Sequence, residues 1–422
     1  MIRTDPAPGA SGPPDTLQSP ATPSVSEHIG ELDGLRALAV ALVMLYHFGP
    51  SHSVPFLQYL KPLGWSGVDL FFVLSGFLIT RILLATRTER LYYSNFYIRR
   101  SLRIFPAYYA VLILIYCGAV FYQHGAAYQQ LAAWGNPIWP WLYLGNVQTA
   151  LIGRDSPLTS LGPLWSLHVE EQFYLLFPFI VRNLPRQSLV RLLIGAVFAA
   201  PALRCILWHV YRNDALAEYV FSFCRLEGLA LGALIAAETR YIPRITRGWL
   251  AAAAVGSTVL AFALLWFLGG HGSRMNDFTR TIGFSLFPCA FACSVLWVIR
   301  FRGSVLTHWL NAAPLQFIGK RSYGIYLLQF PVKAACTALV GSEILWANEL
   351  VGFTVVAALT VGAATLSWWL LEAPMLRLKN RWAPSATPAA AAGRLVRGAR
   401  TCSPGPAAPD EAAVEALPRA AR

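Results

Sequence analysis

The chain has 422 residues, of which 56% are hydrophobic and only 13% charged, with a mean hydropathy of +0.48. Soluble domains carry about 25% charged residues, so a water-soluble fold of this size could not cover its surface. The net charge of +13 does not point to nucleic acid, because the basic residues sit between apolar segments rather than among exposed aromatics. The seven cysteines form no Cys-x-x-Cys pair, which argues against a disulfide framework or a metal site.

The expected fold is all-α, a polytopic bundle of about ten helices crossing the lipid bilayer, each near the 20 residues a span requires. Residues 1–30, rich in Pro, Ser and Ala, read as a disordered cytosolic extension without a cleavable signal. The predicted spans follow in order: Gly34–Gly49, Gly64–Ala85, Ile104–Tyr122, Leu164–Val181, Leu189–His209, Ala217–Ala237, Leu250–Leu268, Thr281–Ile299, Tyr323–Val340 and Leu350–Leu371. Trp139–Ile152 is short and aromatic, which suits a re-entrant or interfacial piece. Residues 31–382 then make one transmembrane domain, and 383–422 read as a disordered cytosolic tail with no second folded domain.

Loop charges test this topology. Arg87, Arg90, Arg182, Arg186, Arg240, Arg244, Arg300, Arg302, Arg377 and Arg381 fall in alternate loops, whereas Lys61 and Arg154 are isolated in the others. By the positive-inside rule both termini are cytoplasmic. Arg274 and Arg280 depart from the alternation.

Ionisable groups at membrane depth are functional candidates. On the first span Arg36 and His47 lie eleven residues apart, about three helical turns and about 16 Å along one stripe. Arg36 reads either as a phosphate-binding cation or as an anchoring charge paired with Asp33. His47 reads either as a base or as a hydrogen-bonded residue near the outer interface. The second span carries Asp69 and a small-residue notch at Ser75 and Gly76, which permits close helix approach. Arg100 and Arg103 share a face at one-turn spacing and suit a phosphate or pyrophosphate, or else serve as topogenic charge. In PLWSLHVEEQFYLLFP the adjacent Glu170 and Glu171 open an apolar helix beside Trp165 and His168. They favour either the helix dipole or an orienting or substrate-binding site. Arg225 and Glu227 read as compensating each other, and Glu372 closes the last span.

GLRALAVALVMLYH, GVDLFFVLSGFLIT, FYIRRSLRIFPAYY, PLWSLHVEEQFYLLFP, RLEGLALGALIA and SYGIYLLQFP, in that order over residues 30–382, closely resemble the acyltransferase-3 family of bacterial inner-membrane acyltransferases. The resemblance implies transfer of an acyl group, acetyl foremost, from acyl-CoA as co-substrate to a sugar hydroxyl. The acceptor would be an envelope or secreted glycan such as a polysaccharide or lipopolysaccharide. It places the family's basic residue and histidine at Arg36 and His47, its Arg-x-x-Arg at Arg100 and Arg103, and its acidic site at Glu170 and Glu171. It departs at His168, where a small residue is frequent, and at Gln329, where histidine often stands; His47 is therefore the stronger base candidate.

The mechanism this implies is general-base catalysis by His47, with Glu170 or Glu171 orienting the imidazole or binding the sugar. Arg36, Arg100 and Arg103 would hold the CoA phosphates, and Asp69, Ser75, His168 and Trp165 stand as supporting candidates. A covalent acyl-histidine route stays open. The rival from another class is a transporter of an organic anion or acyl-bearing metabolite, which would move its ligand unmodified.

Overall fold

The computed structural model describes residues 28–382 apart from 52, 122–135, 154–159, 211–215 and 239–246. The two flanking segments, 1–27 and 383–422, lie outside the described residues, as do Arg154, Arg240 and Arg244. Among the described residues the chain is helical without strands. Its principal elements are α1 (Gly30–Phe48), α2 (Gly67–Thr86), α3 (Tyr92–Phe121), the short α4 (Ile138–Trp141) and α5 (Gly145–Ile152), and α6 (Trp165–Asn183). They continue with α7 (Arg186–Val210), α8 (Leu226–Ala237), α9 (Arg247–Phe267), α10 (Phe284–Arg300), α11 (Ala313–Val340), α12 (Glu349–Ser367) and α13 (Ala373–Trp382).

Among the described residues eight segments are long and apolar enough to cross a membrane. They match eight of the ten predicted spans. The other two correspond to α1 and α6, which carry the functional candidates. Three charges, Glu31, Asp33 and Arg36, fall in the opening turns of α1, and α6 carries His168, Glu170, Glu171, Gln172 and Arg182. The density of polar groups that makes these helices interesting also removes them from the class recognised by apolarity alone.

Helices α1, α2, α8 and α11 pack at the centre, α2 against α8 and α1 against α11. Small residues set these approaches. A Cβ on Gly76 or Gly232 would strike the facing backbone at Leu229 or Val73, and one on Gly319 would strike the Asp33 carbonyl. The notch predicted at Gly76 is therefore a helix–helix contact. Around this centre, Val40, Val43, Trp65, Phe72, Tyr108, Trp165 and Phe284 form a continuous buried core.

Three buried ion pairs tie the helices together. Asp69 on α2 accepts from Arg225 at 2.5 Å, Arg204 on α7 meets Glu227 at 2.7 Å, and Arg280 meets Glu218 at 3.0 Å. Arg225 and Glu227 thus do not compensate each other; residues two apart on a helix start face different ways. Arg280, which departed from the loop-charge alternation, is a buried partner of Glu218 rather than a loop charge.

Candidate functional site

Arg36 and His47 border two adjoining cavities. The first gathers side chains from five helices, including Arg36 of α1, Ser75 of α2, Arg100 and Arg103 of α3, Glu170 and Glu171 of α6 and Tyr323 of α11. The second takes His47 and Tyr46 from α1, Trp65, Trp165, Tyr219, Arg274 and Phe330. Val68 and Tyr326 line both. The one-stripe placement of Arg36 and His47 on α1 thus puts each in a different chamber with a common wall.

The Arg36 chamber concentrates charge. Arg36 donates to Asp33 Oδ1 at 3.3 Å, so it has the local partner anticipated for an anchoring charge while still facing the cavity. Arg100 lies over the Tyr174 ring at 5.4 Å, an arrangement that orients the guanidinium without neutralising it. Arg103 stays solvent-accessible within the lining. Arg36 and Arg100 both act electrostatically on Arg103, so three guanidiniums share one space.

The carboxylates are placed differently from the dipole expectation. Helix α6 starts at Trp165, with no acidic residue in its first turn. Glu170 and Glu171 sit in the second turn and face the cavity. Glu170 accepts from the Ser75 hydroxyl at 2.8 Å and from the Tyr174 hydroxyl at 3.1 Å, which fixes its orientation. Ser75 is therefore a holder of Glu170 as well as a small residue in the α2 notch. Three guanidiniums, whose planar forks can engage phosphate oxygens, and two carboxylates, which accept hydrogen bonds, line the same space.

The His47 chamber is largely aromatic. The imidazole meets the Phe330 ring edge-on at 4.7 Å between centroids and lies 5.0 Å from Tyr46. The charged side chains acting on it are Arg274 and Lys333. Trp165, one of the supporting candidates, forms part of this wall.

Between the chambers Tyr326 is held in place. Its hydroxyl donates to the Pro163 carbonyl at 2.9 Å and lies 2.6 Å from the Ser166 hydroxyl, which then donates to it. Ser166 lines the first chamber and Pro163 the second. Tyr326, held by these two hydrogen bonds, and Val68 form the wall that the cation cluster and the imidazole share.

The remaining candidates lie elsewhere. Asp69 is buried in its pair with Arg225 and lines neither cavity. His168 is buried and uses both ring nitrogens: the Asn146 backbone N–H donates to Nδ1 at 3.2 Å, and Nε2 lies 2.8 Å from the Tyr108 hydroxyl. Tyr108 in turn donates to the Pro140 carbonyl at 2.7 Å. His168 thereby fastens α4 and α5, the predicted interfacial piece, to the rest of the bundle. Gln329, fully buried, donates to the Tyr326 carbonyl at 3.0 Å, directly behind the partition. Sequence reasoning did not single out Tyr326, Tyr323 or Arg274. Tyr326 stood inside the SYGIYLLQFP segment, and Arg274 showed only as an exception to the charge alternation.

Comparison with known proteins bears directly on this arrangement. A family model described as an acyltransferase domain matches residues 29–372, which hold both chambers. The chain belongs to the acyltransferase-3 family. Peptidoglycan O-acetyltransferase OatA of Listeria monocytogenes is 31% identical over 369 residues, covering 83% of this chain and 56% of that protein. O-acetyltransferase OatA of Staphylococcus aureus is 28% identical over 313 residues, 71% of this chain and 50% of that protein. The chain thus spans about half the length of the curated relatives it matches. No solved structure matches it.

Proposed function

We propose that the chain transfers an acyl group, acetyl foremost, from acyl-CoA to a sugar hydroxyl of a bacterial cell-envelope glycan. The observation that carries this reading is the pair of adjoining chambers, one holding Arg36, Arg100 and Arg103 and the other His47, with Tyr326 in the wall they share. The relatives' names, which specify O-acetyl transfer and in one case peptidoglycan, support the acyl group and the acceptor class.

CoA carries a diphosphate and a separate phosphate, and planar guanidinium forks match such oxygens bidentately. The three arginines would hold that end and direct the thioester toward Tyr326. On the other side the acceptor hydroxyl approaches His47. As its oxygen attacks the thioester carbonyl, the imidazole takes the hydroxyl proton; collapse of the tetrahedral intermediate breaks the carbon–sulfur bond. The thiolate leaves and recovers a proton, and the sugar keeps the acyl ester. Positioned proton transfer of this kind contributes about a hundred- to ten-thousandfold in rate. Glu170, oriented by Ser75 and Tyr174, sits on the donor side and would orient the bound donor rather than the imidazole. In the cell this corresponds to a multi-pass inner-membrane protein with the arginine end of α1 toward the cytoplasm, as the loop charges indicate.

The test is purified protein in lipid vesicles given acetyl-CoA and peptidoglycan fragments, with free thiol and glycan ester measured together. Acyl transfer requires equal yields of the two. Uptake of acetyl-CoA or glycan without thiol release would replace this reading with a carrier. Parallel trials with lipopolysaccharide and secreted polysaccharide rank the acceptors.

A further inference from the structure

We infer that the acceptor glycan occupies two subsites, one in the His47 chamber and a second in an outer recess where Ser51, Gln58 and Lys61 bind another sugar of the same chain. The inference rests on the proposed acyl transfer, because it takes the glycan to reach His47 from the end of α1 remote from Arg36.

The recess adjoins the chamber through Tyr46. That residue stands with His47 in the chamber wall and also joins Ser51, Gln58, Lys61 and Pro62 around the recess. Ser51 follows the end of α1 at Phe48, the end farther from Arg36. The chamber encloses about 420 Å³ and the recess about 280 Å³. Small-molecule sites run from about 300 to 1,000 Å³, so the chamber lies toward the low end and the recess has room for one further small group. A glycan seated with one sugar at His47 has Tyr46 and then the recess in its path.

Several contacts fix the recess wall. The Ser51 backbone N–H donates to Glu349 Oε2 at 2.7 Å, and Lys61 Nζ donates to Ser51 Oγ at 2.7 Å. Glu349 also acts electrostatically on Lys61. This brace ties the linker between α1 and α2 to the start of α12. Lys61 opens the tight turn Lys61–Ser66, which lies directly on α1: a Cβ on Gly64 would strike the Leu42 carbonyl and Tyr46 Cβ. From another side the Gly272 loop presses on Leu63 and Pro62, whose side chains occupy the place a Cβ on Gly272 would take.

The lining matches a sugar in kind. Sugar hydroxyls both donate and accept hydrogen bonds, and the ring presents C–H faces. Gln58, exposed on the one-turn helix Leu57–Leu60, carries an amide that does both. Ser51 Oγ accepts from Lys61 and has an O–H to donate, and the Lys61 ammonium has more N–H donors than the one given to Ser51. Pro62 and the Tyr46 ring add apolar surface for the C–H faces.

The experiment measures binding to the purified full chain of two ladders, β-1,4-linked N-acetylglucosamine and β-1,4-linked galactose, each from one to five rings. Acetyl transfer to the same probes is followed in parallel. In at least one ladder Kd should tighten about tenfold or more between one and three rings, the scale of one or two hydrogen bonds, and level off beyond. Q58A should flatten that rise without touching the Lys61–Ser51–Glu349 brace, and K61M should weaken it as well. One ring bound as tightly as three in both ladders, no binding in either, or a rise undiminished in both variants overturns the inference. Length-dependent binding without thiol release sinks the catalytic reading alone, and transfer with length-independent binding sinks this one alone.

Discussion

Replacing Asp69 with alanine is expected to destabilise the bundle rather than to remove a catalytic acid. Asp69 and Arg225 are each 1% exposed and meet at 2.5 Å. Nε and Nη1 of Arg225 make no hydrogen bond among the described residues. The guanidinium instead lies over the rings of Phe284, Tyr219 and Trp165 at 4.8, 5.5 and 5.8 Å. Removing the carboxylate leaves a buried cation with ring faces alone, and breaking such a pair costs about 3–5 kcal/mol. Replacing both partners by apolar groups, as in D69L/R225M, removes the charge with its partner and should recover most of that loss. The assay is unfolding in mixed detergent micelles for both single variants and the double variant. Tyr219 and Trp165 also wall the His47 chamber, so transfer should fall and rise with stability across the set. If Asp69→Ala unfolds within about 1 kcal/mol of the natural chain, inside the range of ordinary substitutions, yet loses transfer, the structural reasoning is wrong and Asp69 acts in the chemistry.

Other outcomes follow from the same geometry. Arg103→Gln should raise the KM for acetyl-CoA about tenfold, the scale of one charge-assisted hydrogen bond; an unchanged KM would take Arg103 out of donor binding. Gly76→Val should destabilise the fold by about 1–3 kcal/mol through overpacking, because its side chain meets the Leu229 backbone, and normal melting of this variant would show that α2 and α8 are less close than described. Ser75→Ala releases one oxygen of Glu170 and should lower transfer with little change in unfolding; equal activity would leave Glu170 without a need for that restraint.

How far the sequence could be read depended on whether a property was local. Eight spans announce themselves by apolar length, and the Arg36–His47 interval needs only helical periodicity. Pairing across helices is different. Asp69 and Arg225 are 156 residues apart, and nothing in either neighbourhood names the other, whereas Glu227 stands two residues from Arg225 and is the partner that sequence proximity suggests. His168 looked like a site residue because it stands beside two glutamates, but its ring leans the other way, to Asn146 and Tyr108. Tyr326 was invisible for the opposite reason: within an apolar helix a tyrosine reads as packing until the helices are assembled and its hydroxyl is found bridging Pro163 and Ser166. Arg274 sits in a short loop whose direction is set by contacts to Trp65 and Leu63, which no local pattern encodes.

The most direct measurement is His47→Ala with two readouts on the same purified sample, acetyl-CoA binding and acetyl transfer to glycan. His47 touches rings rather than ion pairs, and the arginines lie in the other chamber. Donor affinity should therefore hold while transfer drops by about a hundredfold or more. Transfer at near-normal rate, or loss of donor binding together with transfer, would contradict a donor chamber and an imidazole chamber meeting at Tyr326.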